Sequence, residues 1–164
     1  SLHDALPICP DSGDPVDMAL ATVELLDENS ALPIIALVAE MEGAVVGHVA
    51  FSPVTIDNHA AIQAYILAPL AVRPGVQKQR IGSALVEYGM QRLSAMGVDI
   101  IFVYGAPEYY GRFGFSADTA QGYSAPYPLQ YPFGWQAIAI REGVIENGPH
   151  ATQCVQALCK PLLW

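Results

Sequence analysis

Leu70-Ala71-Val72-Arg73-Pro74-Gly75-Val76-Gln77-Lys78-Gln79-Arg80-Ile81-Gly82-Ser83-Ala84-Leu85 is the stretch that decides how the chain is read. The apolar run Ala64–Val72 leads into it and reads as a strand; Pro74 and Gly75 break that strand, and a helical pattern opens a few residues later. The chain has seven Lys and Arg against sixteen Asp and Glu, and three of the seven, Arg73, Lys78 and Arg80, fall within this short stretch. A strand, a short loop and a helix start bring unpaired backbone N–H groups and the positive end of the helix dipole to one point. With three cations and a glycine that admits a ligand close to the backbone, the stretch reads as a phosphate or pyrophosphate site.

Downstream, a helix over Lys78–Met96 carries Ile81, Leu85, Tyr88, Leu93 and Met96 on one stripe, and Gly97 closes it. Val98–Tyr104 follows as a buried strand. A strand, a helix of this length and a second apolar strand form a crossover, so the two strands are expected to be parallel neighbours. Pro107–Arg112 reads as a short helical turn.

The order Val72-x-Pro74-x-x-Gln77-x-x-Arg80-Ile81-Gly82-x-x-Leu85 resembles the acetyl-CoA signature of the GNAT superfamily of N-acetyltransferases. The family's Gln/Arg-x-x-Gly-x-Gly/Ala core falls on Gln77, Arg80 and Gly82, with Arg80 where the family has its first glycine. A second register, Gln79-x-x-Gly82-x-Ala84, fits the short core but loses the spacing to Val72, Pro74 and Leu85. Behind the next strand, Tyr110-Gly111-Arg112-Phe113-Gly114-Phe115 resembles the family's Tyr-x-x-x-Gly-Phe segment. The resemblance runs from Ile34 to Phe115 and more loosely beyond.

That resemblance implies an α/β (α+β) GNAT fold: a mixed central sheet with an antiparallel meander, one parallel crossover pair splayed at the cofactor site, and flanking helices. It implies acetyl-CoA as co-substrate and a primary amine, on a small molecule or a peptide, as acceptor. The backbone of Leu70, Ala71 and Val72 would pair with the pantetheine arm. The pyrophosphate would lie over Gln77, Lys78, Gln79, Arg80, Ile81, Gly82 and Ser83. Tyr110 would be the general acid that protonates the departing thiolate, with the adjacent Tyr109 as the rival choice. An ordinary tyrosine, with a pKa of about 10, is protonated at neutral pH and able to do this. Members of the family often dimerise, so a homodimer is a candidate assembly, although no interface is legible. Glu40, Glu42, His48 and Glu108 fall near enough by topology to serve as base, and none is singled out; His48, in an apolar strand, also reads as a core histidine.

Elsewhere, Asp14-Pro15 is a helix start, and Val16, Leu20, Val23 and Leu26 recur at helical spacing up to Asn29. Ile34–Glu40 and Val45–Val54 are strands joined by a hairpin at Met41-Glu42-Gly43-Ala44, Asp57-Asn58-His59 is a turn, and Ile62–Val72 completes an antiparallel meander. Residues 118–134 form a long aromatic, Pro-rich loop. From Tyr123 to Trp135 it is either an acceptor-binding element or an ordinary Pro-stiffened connection. Trp135–Arg141 reads as a strand and Ala151–Leu158 as a strand or short helix.

The composition bounds the rest. One domain fits 164 residues, and 52% apolar residues suffice for a core. A net charge of −9 leaves no basic face for nucleic acid. No apolar run is long enough to span a membrane. Cys9, Cys154 and Cys159 make neither a disulfide framework nor a metal-ligand set; they are expected as buried free thiols in a cytoplasmic protein. Ser1–Ile8 resembles the translation of a short-read sequencing adapter and is expected to be non-native. Residues 9–164 are then expected to be a single acetyltransferase domain lacking part of its first strand and helix. Two other readings stand beside the enzyme: a non-catalytic acyl-CoA-binding domain, favoured by Arg80 and the unidentified base, and a hydrolase using Cys154 and His150, a pair that nothing in the sequence orients. No Gly-x-x-x-x-Gly-Lys-Ser/Thr loop and no Gly-x-Gly-x-x-Gly is present.

Overall fold

The computed structural model of the protein describes residues 32–141, 149–159 and 164, with the side chains of residues 77–79 outside the described set. The segment Ser1–Ile8, Cys9 and the helix expected over Asp14–Asn29 lie outside the described residues.

Strands β1 (Ile35–Met41) and β2 (Ala44–Ile56) form the expected hairpin. Its two-residue turn places Glu42 and Gly43 at φ 51° and 80°, the doubly positive pattern that matches the twist of the strands it joins. β3 (Ala64–Val72) runs antiparallel to β2, and every one of its residues is buried. A strand covered on both faces reads as an unbroken apolar run rather than an alternating one. The chain then tightens into a 3-10 turn over Pro74–Gln79, crosses over through α1 (Ile81–Ala95), and returns as β4 (Ile100–Tyr104), parallel to β3.

The C-terminal part adds the short helices α2 (Pro107–Tyr110) and α3 (Ala117–Ala120) and the strands β5 (Tyr123–Ser124), β6 (Trp135–Ala139) and β7 (His150–Cys154). The strand order is β5-β7-β2-β3-β4-β6, with β1 also on β2. Long β2 serves two partners along one edge: Ala44 to Phe51 pair with β1, and Val54 to Ile56 pair with β7.

Each sheet face carries its own core. One holds Ile66, Phe102, Tyr104, Trp135 and Trp164; the other, beneath α1, holds Phe51, Leu67, Val103, Leu93, Tyr110 and Phe115. Burying side chains of this size stabilises the fold by about 1.5–3 kcal/mol each. Helix α1 comes down onto the sheet at Gly89, where a Cβ would collide with the Phe51 ring.

Several expectations are corrected. The helix begins at Ile81, not Lys78, because Arg80 takes the left-handed conformation (φ 61°) and ends the 3-10 turn first. Tyr88 is 59% exposed; the buried stripe is Gly82, Leu85, Val86, Gly89 and Leu93. The stretch 118–134 is not wholly loop. Ser116 caps α3 by accepting from the Thr119 N–H at 3.1 Å, β5 follows, and Pro132–Gly134 is a 3-10 turn. Residues 151–158 are both alternatives in succession, the end of β7 and then a 3-10 turn over Gln156–Leu158. Two of the three thiols are not buried as expected: Cys154 is half-buried and Cys159 exposed, because that turn sends Ala157 and Leu158 inward and leaves Cys159 at the surface.

Candidate functional site

The parallel pairing of β3 with β4 runs from Ala64↔Ile100 to Leu67↔Val103 and stops there. Beyond it, β3 continues for five residues past its last pairing with β4, in the register with β2 of Val49↔Leu70, His48↔Ala71 and Gly47↔Val72. β4 meanwhile ends at Tyr104 and turns off toward α2. The two strands therefore part at their C-terminal ends, and the β4-facing edge of Leu70–Val72 borders the gap. An extended ligand arm entering that gap could pair with this edge as an added strand does.

The same end of β3 leads into the first turn of α1. Arg80 makes no side-chain cap bond, and no acidic residue occupies the turn. The first intrahelical bond runs from the Ala84 N–H to the Arg80 carbonyl at 3.1 Å. The N–H groups of Ile81, Gly82 and Ser83 thus precede the helical ladder and stand at the positive end of a fifteen-residue helix. Arg80, the residue before the helix, is exposed, and so is Arg73, which precedes the 3-10 turn. Gln77, Lys78 and Gln79 contribute backbone to the 3-10 turn; their side chains lie outside the described residues.

Tyr109 closes the site from the side. Its hydroxyl is hydrogen-bonded to the Ser83 side chain, and a Cβ on Gly82 would lie 2.7 Å from the Tyr109 oxygen. The Arg112 guanidinium stacks 4.5 Å from the centre of the Tyr109 ring, and its Nε donates to the Tyr109 carbonyl at 3.2 Å. Burial raises the Tyr109 pKa, opposed by the Arg112 charge and by the hydrogen bonds. No signal in the sequence marks Arg112, and Tyr109 stands there only as the rival acid. Pattern cannot tell which tyrosine of an adjacent pair faces a helix terminus, because that depends on the rotation of α2.

Tyr110 is buried in the core beneath α1, edge-on to Tyr109 and to Phe115 at ring separations of 5.0 and 5.9 Å. It is fully buried, and among the described residues its hydroxyl has no hydrogen-bond partner. Burial first, and then its neighbour Tyr109, push its pKa well above the usual phenol range, so the group holds its proton at any ordinary pH. A buried hydroxyl without a partner costs about 1–3 kcal/mol.

Of the residues considered as base, Glu40, Glu42 and Glu108 are exposed, and only His48 is partly buried. Its Nε2 has no partner among the described residues, and burial lowers its pKa, so it is neutral at pH 7. Its register with Val38 and Ala71 turns it away from Gly47, over which Ile81 and Leu85 pack, and so to the sheet face opposite α1. There it lines a cavity of about 300 Å³ with Val45, Ala71, Val72 and Arg73. The Pro-rich segment lies at the C-terminal end of β4. The Tyr104 hydroxyl accepts from the Tyr131 N–H at 3.0 Å, and the segment forms a groove of about 470 Å³ lined by Tyr127, Leu129 and Trp135 among others. Among the described residues, no cluster of three or more metal-ligating side chains occurs, and no helix is long and apolar enough to cross a membrane.

The family model described as "Acetyltransferase (GNAT) domain" matches residues 33–117. The chain is 40% identical over 107 residues to the uncharacterized N-acetyltransferase YjhQ of Escherichia coli (strain K12), covering 64% of this chain and 59% of that protein. The chain thus spans about three fifths of the length of the curated relatives it matches. The crystal structure of the GNAT-family N-acetyltransferase YhbS from Escherichia coli in complex with CoA is similar, with a TM-score of 0.71 and 28% identity over 87% of this chain and 78% of that one. A GNAT-family acetyltransferase from Brucella melitensis in complex with acetyl-CoA gives a TM-score of 0.56 and 29% identity, over 85% of this chain and 92% of that one.

Proposed function

The chain belongs to the GNAT acetyltransferase family, and on that premise we propose that it transfers an acetyl group from acetyl-CoA to a primary amine by direct attack within a ternary complex. The observation that carries this reading is the parting of β3 and β4 beside the free first turn of α1. An extended arm fits the gap, and an anion fits the helix terminus at its mouth.

Each proposed ligand contact has its physical reason. The Leu70–Val72 edge offers backbone groups to the pantetheine amides. The Ile81–Ser83 N–H groups, with Arg73, Arg80 and the loop Gln77–Gln79, take the pyrophosphate. Charge-assisted hydrogen bonds are worth about 1.5–3 kcal/mol each, and the helix terminus adds about 0.3–1 kcal/mol. The relatives crystallised with CoA and with acetyl-CoA support the choice of ligand.

In the reaction, a neutral amine adds to the thioester carbonyl, the carbon–sulfur bond breaks, and the sulfur leaves as a thiolate that needs a proton. Tyr110 is the proposed donor. It keeps its proton at neutral pH, and among the described residues its hydroxyl has no partner to give up. Backbone N–H groups along the open β3 edge would steady the oxyanion as it forms. No carboxylate is assigned as base, and a water chain from the amine serves that role in this account.

One observation favours a second reading, a domain that binds acyl-CoA without turnover: the Tyr110 hydroxyl is closed off from solvent. Acetyl-CoA consumption against a panel of small amines and peptide N-termini separates the two. Amine-dependent loss of the thioester supports the transferase, and tight binding with no loss across the panel supports the binding domain.

A further inference from the structure

The end of β7 and the turn that follows hold a feature the proposed transfer does not use. Cys154 and Cys159 lie with their sulfurs 3.8 Å apart, and the Cys159 thiol also reaches the Cys154 carbonyl oxygen at 3.5 Å. The 3-10 turn Gln156–Leu158 brings them together. The Leu158 N–H returns to the Val155 carbonyl, and the Cys159 N–H to the Gln156 carbonyl, each at 3.0 Å. Cys159 is exposed and Cys154 only half-buried, so a small solute reaches the pair from solvent. A disulfide needs about 2.05 Å between sulfurs. From the 3.8 Å separation the sulfurs must approach by about 1.8 Å to bond. The pair also borders the groove at the end of β4: the Tyr127 side chain is hydrogen-bonded to Cys159, and Tyr127 lines that groove.

We propose that Cys154 and Cys159 form a reversible thiol–disulfide site, oxidised by hydroperoxides and restored by dithiols, beside the groove lined by Tyr127. The exposed Cys159, as thiolate, attacks a peroxide oxygen. The O–O bond breaks, water or an alcohol departs once protonated, and Cys159 becomes a sulfenic acid. The Cys154 sulfur then attacks the Cys159 sulfur, and the hydroxyl leaves as water. Two thiols and one hydroperoxide thus give one disulfide, one water, and a second water or alcohol. An external dithiol reverses the step by exchange through a mixed disulfide. The disulfide takes from Tyr127 the thiol it hydrogen-bonds, so oxidation alters one wall of the groove. This inference goes beyond acetyl transfer and stands whether or not the chain proves to be an enzyme.

The test uses the full chain carrying Cys9→Ser, treated with hydrogen peroxide, quenched with an alkylating reagent and digested with trypsin. Both thiols fall in one peptide, residues 142–164, because Arg141 precedes it and the Lys160–Pro161 bond resists trypsin. The expected result is the coordinate loss of both thiols, a peptide lighter by two hydrogens, and full recovery with dithiothreitol. Cys154→Ser should stop at a sulfenic acid on Cys159 that dimedone traps. Closure in the folded chain should run roughly tenfold faster than in urea, since the fold pre-orients the pair. Independent loss of the two thiols, over-oxidation without a bridged peptide, or equal closure rates in folded and unfolded chain would each overturn the proposal.

Discussion

The Tyr109 hydroxyl stands 2.7 Å from the point where a side chain on Gly82 would begin. That closeness ties the second helical residue of α1 to α2, and through Tyr109 to the Ser83 hydroxyl. It gives a steric reason for glycine at a position the sequence marks only as part of a phosphate motif. Gly82→Ala gains up to about 1 kcal/mol of helix propensity and loses a hydrogen bond worth about 0.5–1.5 kcal/mol, so the melting temperature should barely move. Acetyl-CoA affinity should fall about tenfold or more, as Tyr109 is driven from its seat and the added methyl intrudes on the anion site. Calorimetric titration beside a thermal melt reads both; affinity equal to that of the parent chain would remove Gly82 from the site.

Tyr110 sets stability against turnover. Replacing it by Phe deletes a buried hydroxyl that has no partner among the described residues, so Tyr110→Phe should melt no lower than the parent chain and is expected to be more stable, by up to about 1–3 kcal/mol. If Tyr110 is the acid, the same variant should lose about 10²–10⁴-fold in turnover, the usual worth of a general acid. Because its pKa lies well above the usual phenol value, the acidic limb of the rate profile should be unchanged in the variant. Normal turnover by Tyr110→Phe would end its role as acid.

Arg80 sits at φ 61°, in the conformation that costs a non-glycine residue about 1–2 kcal/mol. Arg80→Gly should therefore raise stability by about 1 kcal/mol in chemical denaturation. If the guanidinium meets the pyrophosphate, the variant should also bind acetyl-CoA about tenfold more weakly, the loss of one charge-assisted bond. A variant that gains stability and binds more tightly would show that the arginine obstructs the loop.

The helix crossover, the hairpin and the parallel pair were all legible, because each is marked by residues that can do little else. Glu42-Gly43 turns with positive φ at both positions, and β3 is apolar from end to end. The start of α1 was misread because lysine and arginine are good helix formers, and the left-handed Arg80 that divides the 3-10 turn from the helix leaves no hydropathy signal. Two glycines on the buried stripe, Gly82 and Gly89, carry none either, so Tyr88 was drawn to the inner face in their place. At the site, the backbone donors and cations were visible as a motif. The roles of Tyr109 and Arg112 were not, since they arise from how α2 packs beside α1.

His48 predicts a pH dependence. Its folded pKa is lowered by burial, so below the unfolded value of about 6.5 the unfolded chain binds more protons than the folded one. By linkage, stability from this group is whole above that pH and is lost as the pH falls toward the folded pKa. The melting temperature of the parent chain should drop between pH 7 and pH 5, and His48→Gln should drop less. Identical slopes for the two proteins would show that His48 titrates freely in the fold.

The most direct test of the account is calorimetric titration of the full chain with acetyl-CoA, under reducing conditions and beside Gly82→Trp. The account predicts one site of micromolar affinity in the parent chain, weakening as salt is raised, and no binding by the tryptophan variant, whose ring displaces Tyr109 and covers the first turn of α1. Absence of binding by the parent chain, or equal binding by both proteins, would contradict the assignment of the parted β3–β4 edge and the first turn of α1 as the acetyl-CoA site.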